Sequence, residues 1–249
     1  MRTSRFSLTS HLRIAGAATV LVGAGVLTGC ASTQSSHPQD PFESYNRAMS
    51  TFNDNLDKAV LKPVATGYKD VVPSPLRTGV SNFFGNLDDL WTMVNFALQG
   101  NGEQTYVHMV RFTTNTVLGL GGLLDIASAM QLTREKQDFG LTLGHWGVQP
   151  GPYLVLPVLG PSTVRDAVSL PADWWGHPMD HMKPVSTRNS LAGLRIVNLR
   201  ANLLGATDTL EAASLDRYAL VRDFYLKRRD VGQKDANDDN AGRVESYDD

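Results

Sequence analysis

Apolar residues recur at spacings of three and four through the middle of the chain, which is the pattern of amphipathic helices. The clearest stripe runs over residues 87–98. It begins beside Asn86, which we expect to cap the helix, and it stops at Gly100. Residues 104–118 contain no proline or glycine and are also expected to be helical, although their threonines and valines lower the helix propensity. The hydrophobic pattern therefore predicts helices across the middle of the chain.

The C-terminal part is predicted to be a helical hairpin. A second apolar stripe runs over residues 191–204, and Asp208 with Glu211 has the spacing of a capping box that starts a last helix reaching Lys227. Between the two helical regions, residues 147–161 are rich in proline and glycine around Tyr153, which predicts an extended loop or a short strand. Strand alternation is not apparent elsewhere, so the predicted fold class is all-α.

The first 29 residues have the features of a secretory signal peptide. They carry three arginines and no acidic residue, and an apolar run follows over residues 14–27. As a helix this run would span only about 21 Å, which is short of the roughly 30 Å hydrocarbon core of a bilayer. Residues 27–30 read Leu-Thr-Gly-Cys and resemble the lipobox of bacterial lipoproteins, whose cysteine is acylated before cleavage. We therefore predict a signal peptide over 1–29 and a lipid anchor on Cys30.

Cysteine usage agrees with lipidation. Cys30 is the only cysteine, so no disulfide can form within one chain, and acylation removes a thiol that an oxidising compartment would threaten. Ala31 follows it, where an aspartate would indicate retention at the inner membrane, so the outer membrane is the predicted location. Residues 30–39 are predicted to form a flexible tether, 40–230 the folded domain, and 231–249 a disordered acidic tail.

The charge balance excludes nucleic acid as a partner. The formal net charge is −2 and becomes more negative when the three arginines of the signal peptide are removed. A nucleic-acid-binding surface would need an excess of lysine and arginine.

No residue pattern predicts an enzyme. The chain has neither a Gly-x-Ser-x-Gly nucleophile elbow nor a Gly-Lys-Ser phosphate loop, and Ser162 or Thr163 is expected to cap a helix. His177 and His181 are four residues apart, but Pro178 between them argues against a shared helix face that could bind a metal. The sequence therefore predicts no catalytic residue, no metal site and no cofactor.

The interval between Arg77 and Arg111 is unusual because it contains no lysine or arginine and many large apolar residues. Asp88 and Asp89 make it a poor spanning helix, since a charge near the bilayer centre costs several kcal/mol. A hairpin embedded in one face of a membrane fits the pattern, and so does a helix pair buried in the protein. The residues alone favour the buried pair, because protein cores are commoner than interfacial hairpins.

Several arginines and tryptophans also allow two interpretations. Arg47, Arg77, Arg111 and Arg165 stand within aromatic or apolar stretches, where they could pair with carboxylates across the fold or contact lipid phosphates. The adjacent Trp174 and Trp175 could form a belt near lipid headgroups or fill core space.

An ordered series of motifs resembles the MlaA (VacJ) family of lipoproteins. The series begins with Asp-Pro-Phe-Glu at 40–43 and continues through Lys-Pro-Val-Ala at 62–65, Ser-Asn-Phe at 81–83, Leu-Gln-Gly at 98–100, Asp-Phe-Gly at 138–140, Trp-Gly-Val at 146–148, Gly-Pro-Tyr at 151–153 and Arg-Asp at 165–166. The resemblance is dense over residues 40–166 and looser in the C-terminal helices. After Trp175, the stretch 177–181 and the acidic tail match no family pattern.

The resemblance implies a ring of helices in the inner leaflet of the outer membrane, with a central amphipathic channel for phospholipids. It further implies a non-enzymatic role in outer-membrane lipid asymmetry, in which phospholipid from the outer leaflet is passed to an MlaC-like periplasmic lipid carrier beside a trimeric porin. Residues 140–157 are the predicted mobile loop near the channel, and the candidate channel residues are Gly140, Thr142, Leu143, Gly144, Trp146 and Gly147. The candidate membrane-facing residues, from the apolar interval, are Phe83, Phe84, Trp91 and Phe96.

Two other functions remain open at this point. The chain could be a structural lipoprotein that scaffolds an envelope complex, or a hydrolase that modifies lipids. A scaffold would need no passage for lipid, whereas a hydrolase would need a nucleophile or a metal that the sequence does not indicate.

Overall fold

A computed structural model describes residues 37–244, and side chains are described throughout that range except at 210–213, 231 and 233–244. Cys30, the signal peptide and residues 30–36 of the tether lie outside the described residues. The elements, in chain order, are α1 (Glu43–Leu56), a π-helical turn (Asp57–Leu61), α2 (Lys62–Val71), α3 (Ser74–Leu98), α4 (Gly102–Val117), α5 (Ile126–Ala129), α6 (Phe139–His145), β1 (Tyr153–Leu156), β2 (Gly160–Thr163), α7 (Val164–Gly176), a 3₁₀ turn (Pro178–His181), α8 (Val185–Ala213) and α9 (Arg217–Val244).

The predicted helical fold class is confirmed, but α3 begins earlier than predicted. Pro73 precedes it and a second proline lies in its first turn, where the missing N–H groups cost nothing, so the helix starts at Ser74. Asn86 is therefore buried within the helix and does not cap it. The predicted end is confirmed: Gly100 adopts a φ of +76°, and its N–H donates to the carbonyl of Ala97 at 3.1 Å.

The segment that we predicted to be a loop over residues 140–157 contains a buried helix. The carboxylate of Asp138 accepts a hydrogen bond from the N–H of Leu141 at 2.9 Å and caps α6, so its first part is ordered by capping. The rest contains the expected short strand: β1 pairs with β2 in an antiparallel hairpin in which Tyr153 faces Thr163. The side chain of Thr163 then caps α7, as expected.

The C-terminal hairpin exists, but its break lies elsewhere. Asp208 lies inside α8, and the turn falls at residues 214–216. There Asp216 caps α9 by accepting a hydrogen bond from the N–H of Ala219 at 3.1 Å. α9 also continues beyond Asp230 to Val244, through most of the segment for which composition predicted disorder. Extending an existing helix costs far less than starting one, which accounts for the difference.

The packed elements form a closed circuit. The π-helical turn joins α1 to α2, which packs on α8; α8 packs on α3, α3 on α6, α6 on α9, α9 on β2, and β1 returns to α1. Such a circuit is the connectivity of a ring, as the family resemblance implied. Across residues 37–244, no helix combines the length and apolar character that a membrane span requires.

The interior of this circuit is unusually polar. Buried apolar side chains form two small clusters, one around Tyr153, Tyr218 and Leu226 and the other around Ala201 and Leu204. Among the described residues, polar or charged side chains outnumber apolar ones in the buried set, whereas large apolar side chains are exposed on nearly every helix. This distribution reverses the usual arrangement of a water-soluble domain, in which Lys, Arg, Asp and Glu are rarely buried.

Candidate functional site

Two cavities lie on either side of the segment that precedes α6. The first has a volume of about 380 Å³ and lies between α3, α7 and α8. The second has a volume of about 520 Å³ and lies against α6 and α9. Lys136, Gln137 and Asp138 line both cavities and so form a shared wall. The two cavities together are the candidate functional site.

The first cavity is closed on one side by an ion cluster. Both carboxylate oxygens of Asp88 accept hydrogen bonds from Arg195, at 2.8 and 3.1 Å, and His177 Nε2 lies 2.8 Å from the same carboxylate. Burial raises the pKa of Asp88, but the hydrogen bond from His177 and the charge of Arg195 outweigh burial, so the net shift is downward. Asp88 is therefore an ionised, fully paired carboxylate.

The first cavity is also lined by a carboxylate of different character. Asp173 Oδ1 accepts hydrogen bonds from the indole N–H of Trp91 and the N–H of Phe139, each at 2.8 Å. Burial raises its pKa, and the neighbouring charge of Asp138 adds to that shift against the hydrogen bonds. The indole ring of Trp91 also packs so tightly on Gly176 that a methyl group there would overlap it. Trp91 is thus fixed in position.

The second cavity is bordered by a cluster on α9. Arg229 donates to Asp138 at 2.6 and 3.1 Å and to Asp166 at 2.8 Å, and the Tyr225 hydroxyl donates to Asp166 at 2.8 Å. Burial lowers the pKa of Arg229, but the two carboxylates raise it by more, so the guanidinium stays charged. Leu141 supplies an apolar part of the wall. Both cavities therefore combine paired charges with apolar surface.

A third polar cluster joins α3 to α4. The fully buried Asp89 lies 3.0 Å from His108 Nδ1, 3.4 Å from Arg111 Nε and 3.2 Å from Arg134 Nη2. Arg111 also donates to both oxygens of Asp125, each at 3.2 Å. The two helices of the apolar interval therefore meet through polar side chains.

The outer surface of the same helices is apolar. On α4, Tyr106, Met109 and Val117 are exposed at helical spacing, opposite His108 and Arg111. The turn after α4 adds further exposed apolar side chains, namely Leu118, Leu120, Leu123 and Leu124. We call Tyr106, Met109, Val117 and these four leucines the apolar outer face. An exposed patch of this kind indicates a surface that contacts lipid or another protein.

The MlaA lipoprotein model matches residues 38–231, which is most of the chain. The chain belongs to the MlaA lipoprotein family. It is 42% identical over 218 residues to the intermembrane phospholipid transport system lipoprotein MlaA of Escherichia coli K12, covering 84% of this chain and 85% of that protein. Identity to the MlaA of Haemophilus influenzae is 35% over 225 residues, with 84% and 86% covered.

A solved structure of the family gives the same picture. It comes from work described as the structural basis for maintenance of bacterial outer membrane lipid asymmetry, and the two chains are 40% identical with a TM-score of 0.68. The match covers 78% of this chain and 98% of that one. An uncharacterised protein of Rickettsia bellii is also similar, with 36% identity over 210 residues and coverage of 84% of this chain and 80% of that one.

None of the channel residues that the family resemblance suggested is among the residues lining the two cavities. Thr142 is buried, its hydroxyl donates to Asn95 Oδ1 at 2.7 Å, and Gln99 donates to that hydroxyl at 3.0 Å. Gly140 and Gly144 are buried on α6, and Leu143 is half-buried. Trp146 is exposed and donates its indole N–H to the carbonyl of Leu98 at 3.1 Å, and Gly147 is exposed in the turn that follows α6.

The predicted membrane-facing residues separate into two groups. Phe84 and Phe96 are 5% and 1% exposed, so they pack inside the protein and the prediction is wrong for both. Phe83 is half-buried with its ring edge against Phe84, and Trp91 lines the first cavity. Phe96 packs against α4, where its ring stacks on that of His108 with the ring centroids 5.4 Å apart. The exposed apolar side chains of α3 are instead Leu76, Val94 and Leu98.

Carboxylate partners are present for three of the four arginines that the sequence left open. Arg47 and Arg111 pair with carboxylates, and Arg165 lies 3.3 Å from Asp166, whereas Arg77 donates to the carbonyl of Val72 at 3.1 Å. Trp174 and Trp175 are both exposed, so they do not fill the core.

Sequence reasoning missed the charged residues that border the cavities. Asp88, Lys136, Arg195 and Arg229 come from separate parts of the chain, and only the tertiary fold brings them together. The one local signal was the run of polar residues 133–137 immediately ahead of the Asp-Phe-Gly motif, in a chain region otherwise rich in apolar residues.

Proposed function

We propose that this protein removes phospholipids that have strayed into the outer leaflet of the outer membrane and passes them to a periplasmic lipid-binding carrier. Membership of the MlaA family supports this role, because relatives are named as lipoproteins of an intermembrane phospholipid transport system. The transfer involves no covalent chemistry, and its result is the maintenance of outer-membrane lipid asymmetry.

The proposal rests on the placement of polar side chains inside the protein and large apolar side chains on its surface. A phospholipid has a charged headgroup and apolar chains, so its path needs polar and apolar walls together. The two cavities supply both, through Asp88, Arg195 and Arg229 on one hand and Leu141 and Leu170 on the other. The apolar outer face, in turn, lets the helices lie among acyl chains without crossing the bilayer.

The proposed location is the periplasmic leaflet of the outer membrane. Acyl chains on Cys30 hold the protein there, and residues 30–39 act as the tether. We also propose a trimeric porin as the neighbour in the membrane and an MlaC-like protein as the acceptor, as the family resemblance implies.

A variant that fills the first cavity tests the transport role. In a strain lacking the gene, we expect the wild-type gene to remove surface phospholipid, measured on intact cells with an amine-reactive label that does not cross the membrane. Leu170 lines the first cavity, and Val168 is an exposed residue of the same helix. Leu170→Trp should leave phospholipid at the surface, whereas Val168→Trp should restore asymmetry. Equal complementation by both variants would place the lipid path outside this cavity.

The same strains separate the rival functions. A scaffold would tolerate Leu170→Trp as long as the complex assembles, which co-purification with the porin measures. A lipid hydrolase would release lysophospholipid or free fatty acid when the purified protein is incubated with phosphatidylethanolamine vesicles. Formation of either product would refute transport without covalent chemistry.

A further inference from the structure

Lys136 occupies a distinctive position between the two cavities. It lines both of them, and its side chain is 71% exposed. Its ammonium nitrogen lies 4.0 Å from Asp88 Oδ2, at the outer limit of an ion pair. The side chain is therefore only loosely held and remains accessible from both sides.

The neighbouring charges are held much more tightly. Asp88 is bound by two hydrogen bonds from Arg195, and Asp138 is bound by two from Arg229. Within each of these pairs, the arginine and the aspartate neutralise each other's charge. Lys136 is thus the cation of the shared wall, and its charge is paired less tightly than those of Arg195 and Arg229.

We infer that Lys136 holds the phosphate of a phospholipid as the headgroup moves between the two cavities. This inference rests on the proposed function and names the residue that handles the headgroup. An anionic phosphate is the group that a loosely paired ammonium in a polar cavity would attract. The acyl chains meanwhile contact the apolar walls, Leu170 and Trp174 in the first cavity and Leu141 in the second.

The choice of lysine fits a moving ligand. Its ammonium is a compact charge on a flexible four-carbon stem, whereas a guanidinium binds phosphate in a fixed, two-pronged geometry. A lysine in the shared wall can therefore follow the phosphate over several ångströms without breaking the ion clusters on either side.

Photocrosslinking in cells tests the inference. Benzoylphenylalanine replaces Trp174, which lines the first cavity, or Tyr225, which lines the second, in cells labelled with [³²P]phosphate. With Lys136 present, we expect phospholipid adducts at both positions. Lys136→Gln should lower both adducts about fivefold, the size of one exposed charge interaction. Lys136→Arg keeps the charge and should retain most of each adduct.

A matched control removes the general effect of one positive charge. Lys69 is exposed on α2 and lines neither cavity, so Lys69→Gln should leave both adducts unchanged. Unchanged adducts in Lys136→Gln, a fall at only one position, or an equal fall in Lys69→Gln would each overturn the role of Lys136. If the protein with Lys136 intact gave no adduct at either position while it restored low surface phospholipid, the lipid would take another path. A failure of the wild-type gene to lower surface phospholipid would instead count against the proposed function itself.

Discussion

The buried charges of this protein lie in paired clusters. Arg111 is completely buried, and it links Asp89 on α3 to Asp125 in the turn after α4. Replacing only one member of such a cluster leaves the opposite charge buried without compensation, which is far more costly than the loss of an exposed pair. The stability of the α3–α4 pair therefore depends on every member of this charge cluster being present.

The variant Arg111→Gln should lower the free energy of unfolding by about 3–5 kcal/mol. Arg47 is the matched control: it also donates to both oxygens of an aspartate, Asp216, but those side chains are 43% and 45% exposed. Arg47→Gln should cost about 1 kcal/mol. Guanidinium unfolding in detergent, followed by tryptophan fluorescence, measures both. Similar losses in the two variants would contradict the role assigned to burial.

Asp125 should make stability depend on pH at acidic values. Burial raises its pKa, but hydrogen bonds from Ser128 and Asn115 and the charge of Arg134 lower it to about 2, from an ordinary value of 3.8. A depressed carboxylate pKa stabilises the folded state above pH 3.8, and that contribution is lost as pH falls towards 2. Wild type should lose stability over this window more steeply than Asp125→Asn. Parallel curves for the two proteins would disprove the assignment.

At the scale of elements, capping residues decide where helices begin. The sequence correctly predicted a helix after Thr163 and an end at Gly100, because a hydroxyl cap and a left-handed glycine act locally. It misplaced the start of α9. Asp208 has the capping-box spacing with Glu211, and the true cap, Asp216, is of the same residue type. Both aspartates form tertiary ion pairs, Asp216 with Arg47 on α1 and Asp208 with Lys62 on α2. Of the two, only Asp216 lies at a helix start, where it accepts a hydrogen bond from the N–H of Ala219.

Substituting the two aspartates distinguishes the predicted cap from the observed one. Asp216→Ala should lower the free energy of unfolding by about 1 kcal/mol through loss of the cap, and further through loss of the Arg47 pair. Asp208→Ala should have a smaller effect, because its carboxylate is exposed inside α8 and caps nothing. Thermal unfolding of both variants at neutral pH measures the difference. A larger loss in Asp208→Ala would restore the start that the sequence suggested.

At the scale of the whole molecule, the distribution of polar and apolar side chains is the reverse of that in a water-soluble domain. Among the described residues, polar and charged side chains make up most of the buried set, and large apolar side chains are exposed on most helices. Such a surface would favour aggregation in water but is stabilised among acyl chains. We propose that a lipid on Cys30 then serves sorting and leaflet placement more than membrane affinity.

A form of the protein without the lipid should therefore still bind membranes. With Cys30→Ala and an ordinary signal peptide, we expect impaired delivery to the outer membrane, whereas the purified chain should bind phosphatidylethanolamine–phosphatidylglycerol vesicles in flotation assays. Val117→Asp combined with Leu124→Asp should weaken that binding at least about tenfold, because charge replaces buried apolar area. The matched pair Val117→Ile and Leu124→Met should bind normally. If the Cys30→Ala chain without further substitutions did not bind the vesicles, the lipid would be the sole membrane anchor.

The sequence by itself determined the features that depend on neighbours along the chain: the helical period, the helix end at Gly100, the cap at Thr163, the short strand at Tyr153, and the family motifs. Periodicity reports which residues share a face, but it does not report whether that face meets protein or lipid. Only the tertiary structure decided that Phe84 and Phe96 lie inside and the apolar outer face lies outside. The tertiary structure also determined which charges border the cavities. These charges come from positions far apart in sequence, and only long-range packing brings them within hydrogen-bonding distance.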